Sequence, residues 1–148
     1  MPGHRLVLVT LNPHGVDLDS RIRELGLQRH VISTGYVPHQ ELNSIYAAAD
    51  ALVIPAIYET TSLPAIEAQA AGAPVVCIDS AGMREVTGSI SSRFACLEVD
   101  LVAEAMLRVA VDDTYRRRLS EEGLENATQF SWKRTARETL NLLLEVAR

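Results

Sequence analysis

Apolar and polar positions change along this chain in blocks rather than with one period. Runs rich in branched apolar residues stand at 5–11 (Arg-Leu-Val-Leu-Val-Thr-Leu), 29–35, 51–55 and 73–78. Such runs predict strands covered on both faces. A further short strand is expected at Phe94-Ala95-Cys96-Leu97. Between the runs, apolar residues recur at helical spacing. Asp17 or Asp19 can cap a helix that ends before Gly26. Leu42, Ile45, Tyr46 and Ala49 mark a helix over 38–49, and Leu63, Ile66 and Ala70 mark one over 62–71, with Gly72 as its stop.

Asn12-Pro13-His14-Gly15 turns the first strand, 79–86 reads as a loop with one helical turn, and 88–93 reads as a turn. Asp100 is expected to cap a helix to about Val111, followed by another over 114–128. Ser131 opens the last helix, with Trp132, Ala136, Leu140, Leu143 and Leu144 as its stripe. Alternating strands and helices with short connections predict an α/β fold with a mostly parallel sheet, helices on both faces and a helical C-terminal tail. The expectation is one domain over 1–148.

Composition narrows the function classes. The 148 residues carry a net charge of -5, and Lys133 is the only lysine among 14 basic residues. An acidic chain without a basic block argues against nucleic acid as partner. Nothing approaches the apolar run of about 20 residues that spans a membrane. Residues 1–5 run straight into the first strand, so no secretory segment and no transmembrane segment are expected, and the location reads as cytoplasmic or on the cytoplasmic face of a membrane. Cys77 and Cys96 are expected to be buried thiols. His4, His14, His30 and His39 are scattered without ligand spacing, so no metal site is expected.

The candidate chemistry lies in 52–76, a strand, loop, helix, strand unit. Open α/β sheets place ligands beyond the carboxyl ends of their strands, and Glu59 stands in that loop. Glu67 follows after seven intervening residues, in the second turn of the helix. Thr61, Ser62, Leu63 and Ala65 offer backbone N–H groups at the helix start, while Pro64 offers none. Free amides at the positive end of a helix form an anion site, and two carboxylates beside it suit a hydroxyl-rich ligand. The alternative is that Ser62 caps the helix and both glutamates are solvated. Gly82 permits close backbone approach, so 82–85 is a second candidate ligand loop. The chain has no Gly-x-Gly-x-x-Gly, no Walker loop and no Gly-x-Ser-x-Gly, which removes the commonest dehydrogenase, nucleotide-hydrolase and esterase readings.

Glu59-x7-Glu67 leads into Ala68-Gln69-Ala70-Ala71-Gly72-Ala73-Pro74-Val75-Val76. Together with Gly35-Tyr36-Val37-Pro38, Gly82-Met83-Arg84-Glu85-Val86 and Phe130-Ser131-Trp132, it resembles the C-terminal donor-binding domain of retaining glycosyltransferases of the glycogen-synthase-like and sucrose-synthase-like group. The resemblance implies a Rossmann-like three-layer αβα sandwich that forms the donor half of a two-domain GT-B enzyme. It implies a UDP-, GDP- or ADP-sugar as donor and no bound metal or other cofactor. Glu59 would face the donor sugar near the reacting carbon. Thr61, Ser62 and Leu63 would present amides to the diphosphate and sugar, Glu67 would hold the ribose hydroxyls, and Tyr36 and Val37 would lie against the base.

The family carries Glu-Gly-Phe-Gly where this chain has Glu59-Thr60-Thr61-Ser62, which restricts backbone approach to the sugar. Its basic clamp and its N-terminal acceptor domain would precede Arg5. The expectation is therefore a chain that is inactive alone and works with the missing N-terminal domain or a second subunit. The alternatives are a nucleotide-binding regulatory module without turnover and a homodimeric interaction domain. A sugar-nucleotide epimerase of related architecture ranks below both.

Overall fold

The computed structural model describes residues 3–9, 15, 17–89 and 91–147. Among the described residues the order is β1 (Leu6–Leu8), α1 (Leu18–Glu24), β2 (Val31–Ser33), α2 (His39–Ala48), β3 (Leu52–Ile54), α3 (Leu63–Ala70), β4 (Val75–Ile78), α4 (Ala81–Thr87), β5 (Ser92–Phe94), α5 (Val99–Val111), α6 (Asp113–Ala127) and α7 (Trp132–Val146). Among the described residues every strand pairing is parallel, so the chain has the expected α/β character. It forms two compact units, Met1–Leu42 and Asn43–Arg148. The expected end of the first strand at Thr10 and Leu11, the turn at Asn12, Pro13 and His14, and the chain start at Met1 and Pro2 lie outside the described residues.

In the smaller unit β1 pairs with β2 in the register Leu6↔Val31, Val7↔Ile32 and Leu8↔Ser33. Thr34 N–H extends the ladder to Leu8 O at 3.0 Å. Leu6 and Val7 keep 44% and 41% of their surface, against the expectation of strands covered on both faces. A two-stranded ladder does not cover both faces by itself. Asp17 is the cap of α1, its Oδ1 accepting from Ser20 N–H at 2.9 Å, while Asp19 sits inside the first turn. That hydrogen bond holds the Asp17 carboxyl below its ordinary pKa.

In the larger unit the strand order is β3-β4-β5, with β4 between its neighbours. The registers Leu52↔Val75 and Val76↔Ser92 fix the sheet. Val75, Val76, Cys77 and Ile78 are all buried, and the core around them includes Ala65, Ala68, Met83, Val86, Phe94, Val109 and Leu119. Small residues on α3 let helix and sheet approach closely, and Gly72 closes the helix at φ 84°.

The structure corrects several boundaries. β5 is Ser92–Phe94 rather than a strand starting at Phe94. The buried Ser92 hydroxyl donates to Ala105 O at 3.3 Å, so a polar residue sits inside the sheet at little cost. Cys96 lies beyond that strand and is exposed, whereas Cys77 is buried, and burial raises its thiol pKa. Residues 81–87 form a helix capped by Ser80, whose Oγ accepts from Met83 N–H at 3.3 Å, rather than a loop with one helical turn. α5 starts one residue before Asp100, with Glu98 as N-cap, so Asp100 favours the helix from within its first turn. Ser131 caps α7 as expected. Its apolar stripe stands exposed, with Trp132 at 76%.

Candidate functional site

The β3–α3 connection places the carboxylate pair that the sequence singled out. β3 ends at Ile54, and the chain crosses residues 55–62 before α3 begins at Leu63. Glu59 is half-buried in that connection. Among the described residues, the side chains of Glu59, Thr60 and Thr61 make no hydrogen bond or ion pair. Thr61 is exposed, and Leu63 keeps 44% of its surface. Among the described residues the amides of Thr61, Ser62 and Leu63 donate no backbone hydrogen bond.

Ser62 occupies the N-cap position by its backbone alone, at φ -86° and ψ 92°. Its carbonyl accepts from Ala65 N–H at 3.1 Å and Ile66 N–H at 3.3 Å. The expected side-chain cap is not made. Ser62 is 1% exposed, and its Oγ is buried with no partner among the described residues. An unpartnered buried hydroxyl costs about 1–3 kcal/mol. Leu63 opens the helix, so its amide has no carbonyl a turn behind it within the helix, and Pro64 has no amide to offer. The first turn of α3 carries no acidic side chain, so its positive end is not neutralised locally. That is the electrostatic environment an anion needs.

Glu67 lies on α3, half-buried, and Tyr46 of α2 donates its O–H to Glu67 Oε2 at 3.4 Å. Burial, followed by the Glu67 charge and the hydrogen bond to it, raises the Tyr46 phenol pKa. Tyr46 thus stays protonated and holds one carboxylate oxygen in place. The sequence reading assigned Tyr46 to a helix stripe and gave no role to its hydroxyl. Nothing short of the fold brings residues 46 and 67 together, so no local signal marked it.

Two cations near this end of the sheet are already engaged. Arg84 grips Asp79 with both arms, Nε to Oδ1 at 2.7 Å and Nη2 to Oδ2 at 2.6 Å. That pairing draws the Asp79 carboxyl below its ordinary pKa and raises that of Arg84. Arg93 reaches Gly88 O and lies 3.8 Å from Asp79 Oδ1. Tyr36 and Val37 belong to the smaller unit, where Gly35 at φ 66° turns the chain after β2. Tyr36 is 69% exposed and Val37 half-buried.

Among the described residues, no group of three or more His, Cys, Asp or Glu side chains is placed to hold a metal ion. Among the same residues no helix is long and apolar enough to cross a membrane. A cavity of about 220 Å³ between β5, α5 and α6, lined by Arg93, Glu104, Arg108 and Tyr115, includes none of the sequence-predicted site residues. Arg108 stacks over the Tyr115 ring there, 3.9 Å from its centroid.

Comparison with known proteins bears on the whole chain. O-antigen chain mannosyltransferase B of Escherichia coli is 37% identical over 107 residues, 72% of this chain and 28% of that protein. Sucrose-phosphate synthase of Thermosynechococcus elongatus superposes with a TM-score of 0.88 at 26% identity, over 99% of this chain and 39% of that one. HepE of Anabaena, solved in complex with UDP and glucose, shares the fold with a TM-score of 0.82 at 19% identity, over 96% of this chain and 40% of its own. The Rossmann-like α/β reading holds in these neighbours. The chain spans about a third of the length of the curated relatives it matches. The family model for glycosyl transferases group 1 matches residues 4–126, and the chain belongs to that family.

Proposed function

We propose that this chain is the donor-binding half of a retaining glycosyltransferase. The observation that carries the reading is the start of α3. Along the chain, the helix N-terminus, with no acidic side chain in its first turn, follows the half-buried Glu59 and precedes Glu67, which is held by Tyr46. Amide groups and the helix dipole suit the diphosphate of a nucleotide sugar. Glu67 is suited to accept hydrogen bonds from ribose hydroxyls, with its second oxygen steadied by Tyr46. Glu59 is assigned to the donor sugar, where a carboxylate can act on developing positive charge at the reacting carbon. The donor is a UDP-, GDP- or ADP-sugar, and the reading calls for no metal. The base-facing role of Tyr36 and Val37 rests on the family resemblance alone.

Transfer also needs an acceptor site and cationic groups for the leaving diphosphate. With Arg84 and Arg93 committed to Asp79, the chain is expected to bind donor without turning it over until a further domain or subunit is supplied. Calorimetric titration with UDP, GDP and ADP tests the reading. A saturable signal for one of them, lost in Glu67→Ala while the melting temperature holds, is the expected result. Sugar transfer by the purified chain alone, abolished in Glu59→Gln, would overturn the inactive-half reading. A second reading, a homodimeric interaction domain, is favoured by the exposed apolar stripe of α7. Tight dimerisation in sedimentation with no response to any nucleotide would select it.

A further inference from the structure

We infer that Gly82 is a positioning residue for the Glu59 segment. The inference deepens the donor-site reading and rests on it for the role of Glu59. Gly82 is the second residue of α4, with ordinary helical backbone, so its value is not conformational freedom. It is space. A Cβ built at position 82 would lie 2.3 Å from Glu59 O, 3.3 Å from Thr60 O and 3.4 Å from Glu59 C. All three are backbone atoms, so no side-chain rotation relieves the clash. One of the two backbones must move.

α4 is the less able to yield. Met83, beside Gly82, is fully buried, and its amide is capped by Ser80 Oγ at 3.3 Å. Thr87 Oγ1 donates to Met83 O at 2.7 Å, and Asn126 Nδ2 donates to Val86 O at 2.9 Å. Against this, the side chains of Glu59, Thr60 and Thr61 have no hydrogen bond or ion pair among the described residues. The peptide joining Glu59 to Thr60 therefore rests on the bare face of α4, and that rest sets where the Glu59 side chain leaves the backbone. Any larger residue at 82 drives the segment back by about 1 Å, a displacement of the size that costs well-oriented sites heavily. Of the amides assigned to the diphosphate, Ser62 and Leu63 lie beyond this segment at the start of α3, and only Thr61 adjoins the displaced peptide. Gly82 is thus predicted to govern recognition of the sugar more than recognition of the nucleotide.

The test compares the full 148-residue chain with Gly82→Ala, and with Gly82→Ala combined with Thr60→Gly. A glycine at 60 frees φ there, letting the displaced peptide turn away from the new methyl group. Titrations use the pairs UDP and UDP-glucose, GDP and GDP-mannose, ADP and ADP-glucose. For whichever pair binds, Gly82→Ala is expected to lower affinity for the sugar-bearing member roughly tenfold and for the bare diphosphate less than about twofold, with the second change restoring most of the loss. Equal loss of both members, or loss of neither, would overturn the inference.

Backbone NMR shifts of the same proteins give a readout that needs no ligand. The largest changes in Gly82→Ala should fall at residues 59–61, with Met83 and Val86 little altered. Changes centred on α4 with 59–61 unmoved would show that the helix yields, and Gly82 would then position nothing. If the unmodified chain binds none of the probes, the donor reading fails while the NMR comparison still decides the placement of the segment. Should Gly82→Ala not fold, the double variant carries the same comparison.

Discussion

The two ends of α3 are built on opposite principles. At the C-terminal end polar groups from three helices are tied together. Gly72 N–H donates to Gln69 O at 3.0 Å, Ala73 N–H to Ala68 O at 2.8 Å, and Ser120 Oγ of α6 donates to Gly72 O at 2.6 Å. Asn126 Nδ2 bridges Gln69 Oε1 at 2.8 Å and Val86 O at 2.9 Å, locking α6 and α4 to the same helix. Gly123 lets the α6 backbone press on Gln69, whose Cγ would stand 3.2 Å from a Cβ there. At the N-terminal end, Ser62 Oγ is buried without a partner and the helix positive pole is left open. The core seam is over-determined, and the end assigned to the ligand is under-satisfied. A fold can carry that imbalance because a rigid scaffold supports unsatisfied groups that a ligand then completes.

Breaking the satisfied end should cost the most. Asn126→Ala removes a buried amide that serves two acceptors from different helices, and leaves the Val86 carbonyl without that donor. A loss of about 2–3 kcal/mol is expected in denaturant unfolding, with nucleotide affinity per folded molecule unchanged. An equal loss of affinity would mean that the two ends are energetically one unit.

Glu67→Ala addresses the open end. It should weaken nucleoside diphosphate binding by about 1–3 kcal/mol, as expected for a charged acceptor on ribose hydroxyls, while moving stability little. Tyr46→Phe should lower affinity by less, because the carboxylate remains and only its second oxygen is released. Melting of the domain in Glu67→Ala with affinity intact would make Glu67 structural and erase the contrast between the ends.

How much of this contrast was legible follows from what each end is made of. β3, β4 and α3 were readable because branched apolar runs and a glycine stop are local signals. β5 was not, because Ser92 and Arg93 read as a turn until Ala105 O supplies the serine with a partner. α4 was hidden for a related reason. Its second residue is Gly82, a poor helix former, and the reason for a glycine there is a carbonyl more than twenty positions earlier. The seam between Gln69 and Asn126 joins residues 57 apart in sequence, beyond any periodicity. At the candidate site, spacing singled out Glu59 and Glu67, but the Tyr46 partner and the missing Ser62 cap are properties of packing.

The Tyr46–Glu67 pair makes a pH prediction. Burial first, then the Glu67 charge and hydrogen bond, raise the phenol above its ordinary value of about 10. A group whose folded pKa is raised contributes stability fully present below its unfolded pKa and lost as pH rises through the folded one. Stability from this pair should thus be constant up to about pH 10 and decline above it. Glu67→Gln should move the Tyr46 titration back toward the ordinary value only in part, because burial, the leading cause, remains. Ultraviolet difference titration against Tyr46→Phe isolates this phenol from Tyr36, Tyr58 and Tyr115. A complete return would make charge rather than burial the dominant cause.

The smallest expected effect is the one whose sign matters most. Replacing a serine N-cap with alanine ordinarily costs about 1 kcal/mol, because a helix amide loses its acceptor. Ser62 makes no such bond, so Ser62→Ala removes only a buried hydroxyl that has no partner. The change should be neutral or stabilising by up to about 1 kcal/mol. In the same variant, affinity for the donor should fall if the ligand-bound state supplies the hydroxyl with its partner. Stability and binding would then move in opposite directions from one atom, the signature of a group kept unsatisfied for a ligand. A destabilised Ser62→Ala would instead place Ser62 among ordinary caps, and the two ends of α3 would differ in degree rather than in kind.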